Sequence, residues 1–430
     1  MKKHYNRLIE PSLESLMKSF PAIAIDGLKG VGKTVSAKRI ASTVFELDKE
    51  KDFDQVAHIP GILLSGTPPV LVDEWQRFPP VWDQVRRAVD EDARPGTFLL
   101  TGSIANTDTN IHSGAGRIIR RKMYPLSLAE RDIETPTVSI GEMFATSKSF
   151  GMRIEGATEV TPLDYLHEIV ASGLPEFRSY SSEELKIAFE SYFENMLSHE
   201  FNQQGVRLRQ PQTLLRWLRG YAAAIATDAG YSEILDASTA GEENKPATKT
   251  TIAYREALEN LWLLDELSPW IEGEDFFSGL KQSSKHYLAD PAFAAYLLRL
   301  DESVLTGVRG WTVQAEKFDE KFGSIIGRLF EALVQLCLNV YASVNNAKIF
   351  FVRTYKGDHE VDFIIQKDSR VIACEVKLSQ MASASDGEHL RWFKEKVGAD
   401  CCDAMIITTG SAAYRRKDGI AVVPAALLGP

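Results

Sequence analysis

Cysteine is scarce in this chain. Four occur in 430 residues, at positions 337, 374, 401 and 402. None has C-x-x-C spacing, which excludes the common zinc and dithiol motifs. Cys401 and Cys402 are adjacent, a poor geometry for a disulfide, so a reducing, cytoplasmic setting is expected. Long uninterrupted apolar runs are also missing, and no membrane span is expected. The start, Met1-Lys2-Lys3-His4-Tyr5, lacks the apolar core of a secretory signal. Positive charge is in deficit: 49 Lys and Arg against 59 Asp and Glu give a net −10. That excludes a protein coated with basic surface, although a local basic patch can still meet nucleic acid. What remains is ordinary for a globular chain. The hydrophobic share is 44%, enough for a sizeable core, and the length suits two or three domains.

The most informative stretch is Gly27-Leu28-Lys29-Gly30-Val31-Gly32-Lys33-Thr34, a full match to the phosphate-loop pattern GxxxxGK[ST]. The glycines let backbone N–H groups face phosphate oxygens. Lys33 can reach the β- and γ-phosphates, and the Thr34 hydroxyl can ligate Mg²⁺. ATP and Mg²⁺ are therefore the expected ligands. The context fits: Ala22–Asp26 reads as a buried strand, and residues 33–47 carry helix-compatible apolar spacing at Val35, Ile40, Val44 and Leu47. The plain alternative is a glycine turn with a chance lysine.

Three further segments extend the pattern. Pro69-Val70-Leu71-Val72-Asp73-Glu74 reads as a strand ending in two carboxylates, Asp73 for Mg²⁺ and Glu74 for the attacking water. Thr97 to Ser103 is a strand ending in small polar residues, and Thr101 and Ser103 are candidate sensors of the γ-phosphate. Ser113-Gly114-Ala115-Gly116-Arg117 places an arginine after a flexible pair of glycines. Arg117 is the candidate to stabilise transition-state charge, in the same chain or from a neighbouring copy. An exposed acidic pair, a polar turn and a solvated basic face are the corresponding plain readings. With the expected helix over 81–92, the order of elements indicates a doubly wound α/β sheet over residues 1–135.

These motifs in this order (GLKGVGKT, VLVDEWQ, FLLTGS, GAGR) resemble a group of bacterial and archaeal AAA-like P-loop ATPases. Those proteins carry a C-terminal domain of uncharacterised function, often with a nuclease-like core. Ser172-Gly173-Leu174-Pro175-Glu176, Tyr287 to Pro291 and Gly327 to Glu331 look like the same group. Where the family often reads Arg-Asp, this chain has His199-Glu200.

Residues 135–160 read as a linker and 160–310 as mostly helical. Helices are expected over 212–225 and 250–264, and Asp265 to Trp270 could begin a wing. The resemblance also implies a winged-helix module, a unit that often enters the DNA major groove. Arg207, Arg209, Arg216 and Arg219 form its most basic stretch. DNA contact and a lid that packs on the ATPase are equally open.

Residues 311–430 hold the second constellation. Glu360 to Ile365 and Val371 to Lys377 read as two strands of a hairpin. Asp362 and Glu375 would lie on neighbouring strands, and Glu375 and Lys377 on one face. Two carboxylates beside an ammonium can bind Mg²⁺, polarise a phosphodiester and activate water. Glu331, on the expected helix 323–341, could add a third carboxylate. This set resembles the restriction-endonuclease-like PD-(D/E)xK superfamily, which implies catalytic roles for Asp362, Glu375 and Lys377 and metal roles for Glu331, Asp362 and Glu375. An ion pair on a solvated strand is the plain alternative. The expectation is thus an ATPase coupled to a nuclease-like, DNA-binding module, with a homo-oligomer as a candidate assembly. The rival expectation is a nucleotide-gated switch whose nuclease-like domain is inactive, and a small-molecule kinase is a third, weaker one.

Overall fold

The computed structural model describes residues 4–59, 61–104, 116–146, 150–201, 211–238, 248–271, 283–301, 320–354 and 358–430. It divides into two compact units. One comprises residues 4–125 with Leu258–Leu263, the other Leu126–Ala257 with Leu264–Pro430. The middle and C-terminal segments share the unit that begins at Leu126.

The first unit is built on strands β1 (Ala22–Asp26), β2 (Thr43–Glu46), β3 (Val70–Asp73), β4 (Phe98–Gly102) and β5 (Ile118–Lys122). Their order is β2-β3-β4-β1-β5, and every neighbour pair is parallel. β1, β3 and β4 are buried at every residue. This is why they read as unbroken apolar runs rather than as alternating patterns. Each fully buried Val or Leu side chain there contributes about 2 kcal/mol of transfer free energy. The helix Pro80–Asp90 covers the sheet with Val81, Trp82, Val85 and Ala88, and the Trp75 and Trp82 rings meet at 4.7 Å.

One element differs from the sequence reading. The helix after the phosphate loop ends at Ile40, and residues 43–46 form β2. Ala41 is extended, and the Ser42 and Thr43 amides donate to the Pro69 carbonyl at 2.8 and 3.2 Å. Thr43, Val44 and Phe45 are β-branched or aromatic and pair with Val70, Leu71 and Val72. Strand pairing overrides a spacing that also fits a helix.

The second unit contains β6 (Val138–Ser139), β7 (Glu155–Ala157), β8 (Leu264–Leu267), β9 (Lys285–Leu288), β10 (Lys348–Arg353), β11 (Glu360–Lys367), β12 (Arg370–Val376), β13 (Cys401–Thr408), β14 (Ala412–Arg415), β15 (Ala421–Pro424) and β16 (Leu428–Gly429). Seven of them form a mixed sheet, β10-β11-β12-β13-β15-β14-β7. Val371 and Ala373 of β12 pack with Leu390 and Phe393 of the helix Glu388–Val397. Ile372 and Cys374, of opposite parity, are buried as well, so both faces of this strand are covered.

Residues 135–160 are not a linker. They supply β6, the helix Ile140–Ala145 and β7, and they pair with β16 and β14. Elements of two to six residues are too short for their periodicity to register in a sequence window. Among the described residues the α-helices Pro162–Val170, Ser182–Asn195, Pro211–Ala223, Tyr231–Ser238, Thr248–Asn260 and Pro291–Leu297 follow, with β8 and β9 paired as an antiparallel two-stranded sheet. β8 contains the start of the expected wing. The helix Thr248–Asn260 stops short of 264, where β8 begins.

The helix Glu320–Val344 is longer than the expected 323–341. Its stretch Ile325–Val344 has a mean hydropathy of 1.4, long and apolar enough to cross a membrane, and 78% of that window is buried inside the protein. That burial is the pattern of a core helix.

Candidate nucleotide site and carboxylate cluster

The phosphate loop lies between β1 and the helix Lys33–Ile40. Gly27, Gly30 and Gly32 have φ of 147°, 88° and 101°, a region costly for any residue with a Cβ. At Gly27 a Cβ would also stand 2.3 Å from the Met123 carbonyl oxygen. The pattern glycines are therefore required by backbone geometry. The Lys33 ammonium donates to the Gly27 and Leu28 carbonyls at 2.8 and 2.9 Å, which holds it across the loop. Lys29 is exposed, while Leu28 and Val31 are buried.

The register of β3 with β4 sets Asp73 opposite Thr101. Asp73 Oδ1 accepts from Thr34 Oγ1 at 2.7 Å and from Thr101 Oγ1. A hydroxyl and a carboxylate in contact, one from the loop and one from a strand end, form an oxygen donor set that fits Mg²⁺. Glu74 is left-handed, with φ 55° and ψ 45°, a strained setting for a residue with a side chain. Its Oε2 accepts from Ser103 Oγ at 3.1 Å and from the Gln76 amide. The Glu74 amide donates to Thr101 Oγ1 at 3.4 Å. Thr101 and Ser103 thus serve the two carboxylates directly.

Arg117 is paired with Asp90, its Nε 2.9 Å from Oδ1, and its side chain is half exposed. The arginine beside the loop strand is Arg120, whose Nε lies 2.6 Å from Asp26 Oδ2. Burial raises the Asp26 carboxyl above its usual range, against the pull of Arg120 and Lys33. The sequence reading passed over Arg120 and also Arg7. Arg7 is buried and donates to the Val31 carbonyl in the loop and, at 2.6 Å, to the Tyr124 carbonyl. Arg7 lies twenty-four positions before Val31, outside any local motif. Gln76 was passed over as well, although its place two residues after Glu74 was a visible signal.

The second site is in the mixed sheet. Phe363 pairs with Cys374, which sets Asp362 beside Glu375. Asp362 Oδ2 accepts from the Val376 amide at 2.9 Å. Lys377 Nζ lies 3.4 Å from Glu375 Oε2, and Glu375 Oε1 is buried with no hydrogen-bond partner. Burial first, then the neighbouring Asp362 charge, pushes the Glu375 carboxyl well up. Burial alone would raise Asp362, but the Lys285 charge and the hydrogen bonds from Glu375 and Val376 hold it low.

Glu331 reaches the same neighbourhood by another route. Its Oε1 accepts from Tyr287 Oη at 2.7 Å and lies 3.4 Å from Lys285 Nζ. Lys285 also stands 2.8 Å from Glu360 Oε1 and 3.5 Å from Asp362 Oδ1. Burial and the Asp362 charge raise Glu331 to about 7. Among the described residues no group of three or more His, Cys, Asp and Glu is arranged to hold a metal ion. Asp362 and Glu375, with the orphaned Oε1, suit a cation between them. Glu331 is occupied by Lys285 and Tyr287.

Other motif residues prove structural. Asp290 Oδ2 accepts from Ser172 Oγ at 2.6 Å and from the Gly173 amide at 2.7 Å, while Oδ1 caps the helix Pro291–Leu297 through the Ala292 amide at 3.0 Å. Glu168 is buried between Arg131 and Arg178, at 2.9 and 2.7 Å. Arg415 is bound to Asp403 at 2.8 and 2.9 Å and to the Met152 carbonyl. Arg207 and Arg209 lie outside the described residues, whereas Arg219 is exposed and Arg216 half-buried on the helix Pro211–Ala223.

Comparison with known proteins matches three segments of the chain. Residues 19–131 match the AAA domain, the segment that carries the phosphate loop and the parallel sheet described above. Residues 163–304 match a domain of unknown function, DUF8612, and residues 326–428 another, DUF4143. An uncharacterized protein of Mycobacterium tuberculosis, Rv2008c, is 23% identical over 420 residues, covering 91% of this chain and 82% of the relative. The uncharacterized protein Mb2031c of Mycobacterium bovis gives the same values. Among solved structures, the Walker-type ATPase PABY2304 of Pyrococcus abyssi is 14% identical, with a TM-score of 0.38 over 67% of this chain and 94% of that one.

Proposed function

We propose that this protein is a cytoplasmic, Mg²⁺-dependent ATPase whose nucleotide cycle governs a nuclease-like, DNA-binding C-terminal module. The observation that carries the ATPase reading is the joint contact of Thr34 and Thr101 on Asp73, with Glu74 next in sequence and anchored by Ser103. Backbone amides of Gly27–Thr34 would cradle the phosphates, and Lys33 would turn from the loop carbonyls to the β- and γ-phosphates. Mg²⁺ held by Thr34 and Asp73 would neutralise phosphate charge during hydrolysis. Glu74 would orient the attacking water and accept its proton, with Thr101 and Ser103 fixing its position. Arg117 is the candidate for the γ-phosphate of a second copy in a homo-oligomer.

The DNA-binding reading rests on Arg216 and Arg219, and the nuclease-like reading on the Asp362, Glu375 and Lys377 set. Phosphate release measured with Mg²⁺, with and without duplex DNA, tests the proposal. It should depend on Lys33 and rise with DNA, and failure of the purified protein to bind ATP sinks it.

A second reading is favoured by one observation: Lys285 lies among the carboxylates that a metal nuclease would devote to its ion. In that reading the domain is a nucleotide-gated binding module without cleavage. Mg²⁺-dependent plasmid cleavage by wild type and by Asp362→Ala separates the two. Equal, negligible cleavage by both favours the switch.

A further inference from the structure

We propose that Lys285 is the resident cation of the carboxylate cluster, and that Glu331 serves this lysine rather than a metal ion. A cation site, if the nuclease-like reading on which this inference rests is right, is then confined to Asp362 and Glu375.

The ammonium of Lys285 has three N–H donors, and three carboxylates surround it. Glu360 lies at 2.8 Å, Glu331 at 3.4 Å and Asp362 at 3.5 Å. The side chain is only 4% exposed, so water does not compete for those donors. Its charge also faces the Phe351 ring at 5.5 Å. The oxygen of Glu331 that approaches Lys285 is also the one that accepts from Tyr287. Asp362 is divided between two neighbours. Its Oδ1 faces Lys285 and its Oδ2 takes the Val376 amide, on the strand that carries Glu375.

A divalent ion chelated by both Glu331 and Asp362 would have to share the space of an ammonium that already lies within 3.5 Å of each. At such separations two cations in a buried site repel strongly. An ion between Asp362 and Glu375 would meet the Lys285 ammonium across one shared carboxylate rather than two, and it would satisfy the orphaned Glu375 Oε1. Lys285 belongs to β9, within the segment 163–304, while every carboxylate it holds lies within 326–428. The middle segment therefore contributes a positioning residue to the C-terminal site. That segment cannot be removed without leaving the carboxylates uncompensated.

The test uses the full chain and Mn²⁺ as probe, with binding read by electron paramagnetic resonance, alongside thermal melting without metal at pH 7.5. Asp362→Asn should lose the Mn²⁺ site in the second unit. Glu331→Gln should keep its affinity within about threefold of wild type. Lys285→Met, which removes a cation beside Asp362, should strengthen Mn²⁺ binding about tenfold or more. In the melting cycle, Lys285→Met and Glu331→Gln should be strongly non-additive, the double variant melting no lower than Lys285→Met alone.

The inference is overturned if Glu331→Gln weakens Mn²⁺ binding as much as Asp362→Asn does, or if the two melting effects add. If Lys285→Met does not fold, Glu331→Gln against Asp362→Asn still decides the matter. Absence of Mn²⁺ binding in every variant defeats the metal-dependent nuclease reading. The melting cycle then stands alone in deciding the role of Lys285.

Discussion

The acidic pairs of the two sheets are assembled by different routes. Asp73 and Glu74 are consecutive and leave the end of a central parallel strand, where hydroxyls from the loop and from the adjoining strand meet them. Asp362 and Glu375 come together only because an antiparallel hairpin sets β11 against β12, and the cation beside Asp362 arrives from Lys285, 77 positions earlier in sequence. The partners of the first pair are short hydroxyl side chains and the Gln76 amide, none of them charged. The second is largely buried and its charged members pair with one another, so changing one member leaves another unpaired. A site of local motifs behaves as a replaceable fitting, and one of long-range partners as part of the fold.

That contrast can be broken or sharpened experimentally. The largest effect is expected for Lys33→Ala, which should reduce ATP turnover by 100-fold or more and leave the melting temperature nearly unchanged. Radiolabelled phosphate release and a thermal melt check both halves, and a large drop in melting would break the contrast. Glu74→Gln should lower turnover by about 100-fold while nucleotide binding persists, since the amide oxygen can still accept from Ser103 and Gln76. Fluorescent-nucleotide titration beside the turnover assay reads this, and lost binding would contradict the role given to Glu74.

In the second unit the sign should reverse, with stability falling before any binding assay can be run. Asp290→Ala removes the acceptor of Ser172, Gly173 and Ala292 and should cost about 3 kcal/mol, seen as a lower denaturant midpoint.

The smallest effect is a pH dependence at Glu168. Burial alone would raise this carboxyl, but Arg131 and Arg178 outweigh burial and bring it below its ordinary value of 4.5. Its folded pKa is thus lower than its unfolded one. The contribution to stability is fully present above about pH 4.5 and is lost as pH falls through the folded value. Glu168→Gln should flatten that acid limb of the melting-temperature profile, and an unchanged limb would show that the ion pairs do not couple to folding.

The same contrast governs what could be read from the sequence. The loop, Asp73, Glu74, Thr101 and Ser103 were legible because each lies at the end of an apolar run, and the loop carries its own spacing. The hairpin of Asp362 and Glu375 was legible for the same reason. Lys285 was not. Its neighbours Lys285-His286-Tyr287-Leu288 alternate like any short strand, and nothing local announces the three carboxylates ahead of it. Arg120 stood in a basic cluster with Arg117, and only the pairing of β5 with β1 shows that Arg120, not Arg117, reaches the loop strand. The mistaken helix over 43–46 has a similar origin. Val44 and Leu47 satisfy helical spacing and strand pairing alike, and the partner strand that decides between them begins at Val70.

The pairing of β7 with β14 has a consequence for the order of events during synthesis. Ala157 lies against Ala412, and Val138 against Leu428. The parallel sheet of residues 22–122 needs no later strand, so it can close while the ribosome is still translating. The mixed sheet must wait for the final strands, with β6 and β7 holding unpaired edges meanwhile. Contacts of such sequence separation form slowly and leave edges open to wrong partners. Chains stalled before residue 412 should therefore contain a protease-resistant ATPase domain attached to an aggregation-prone remainder.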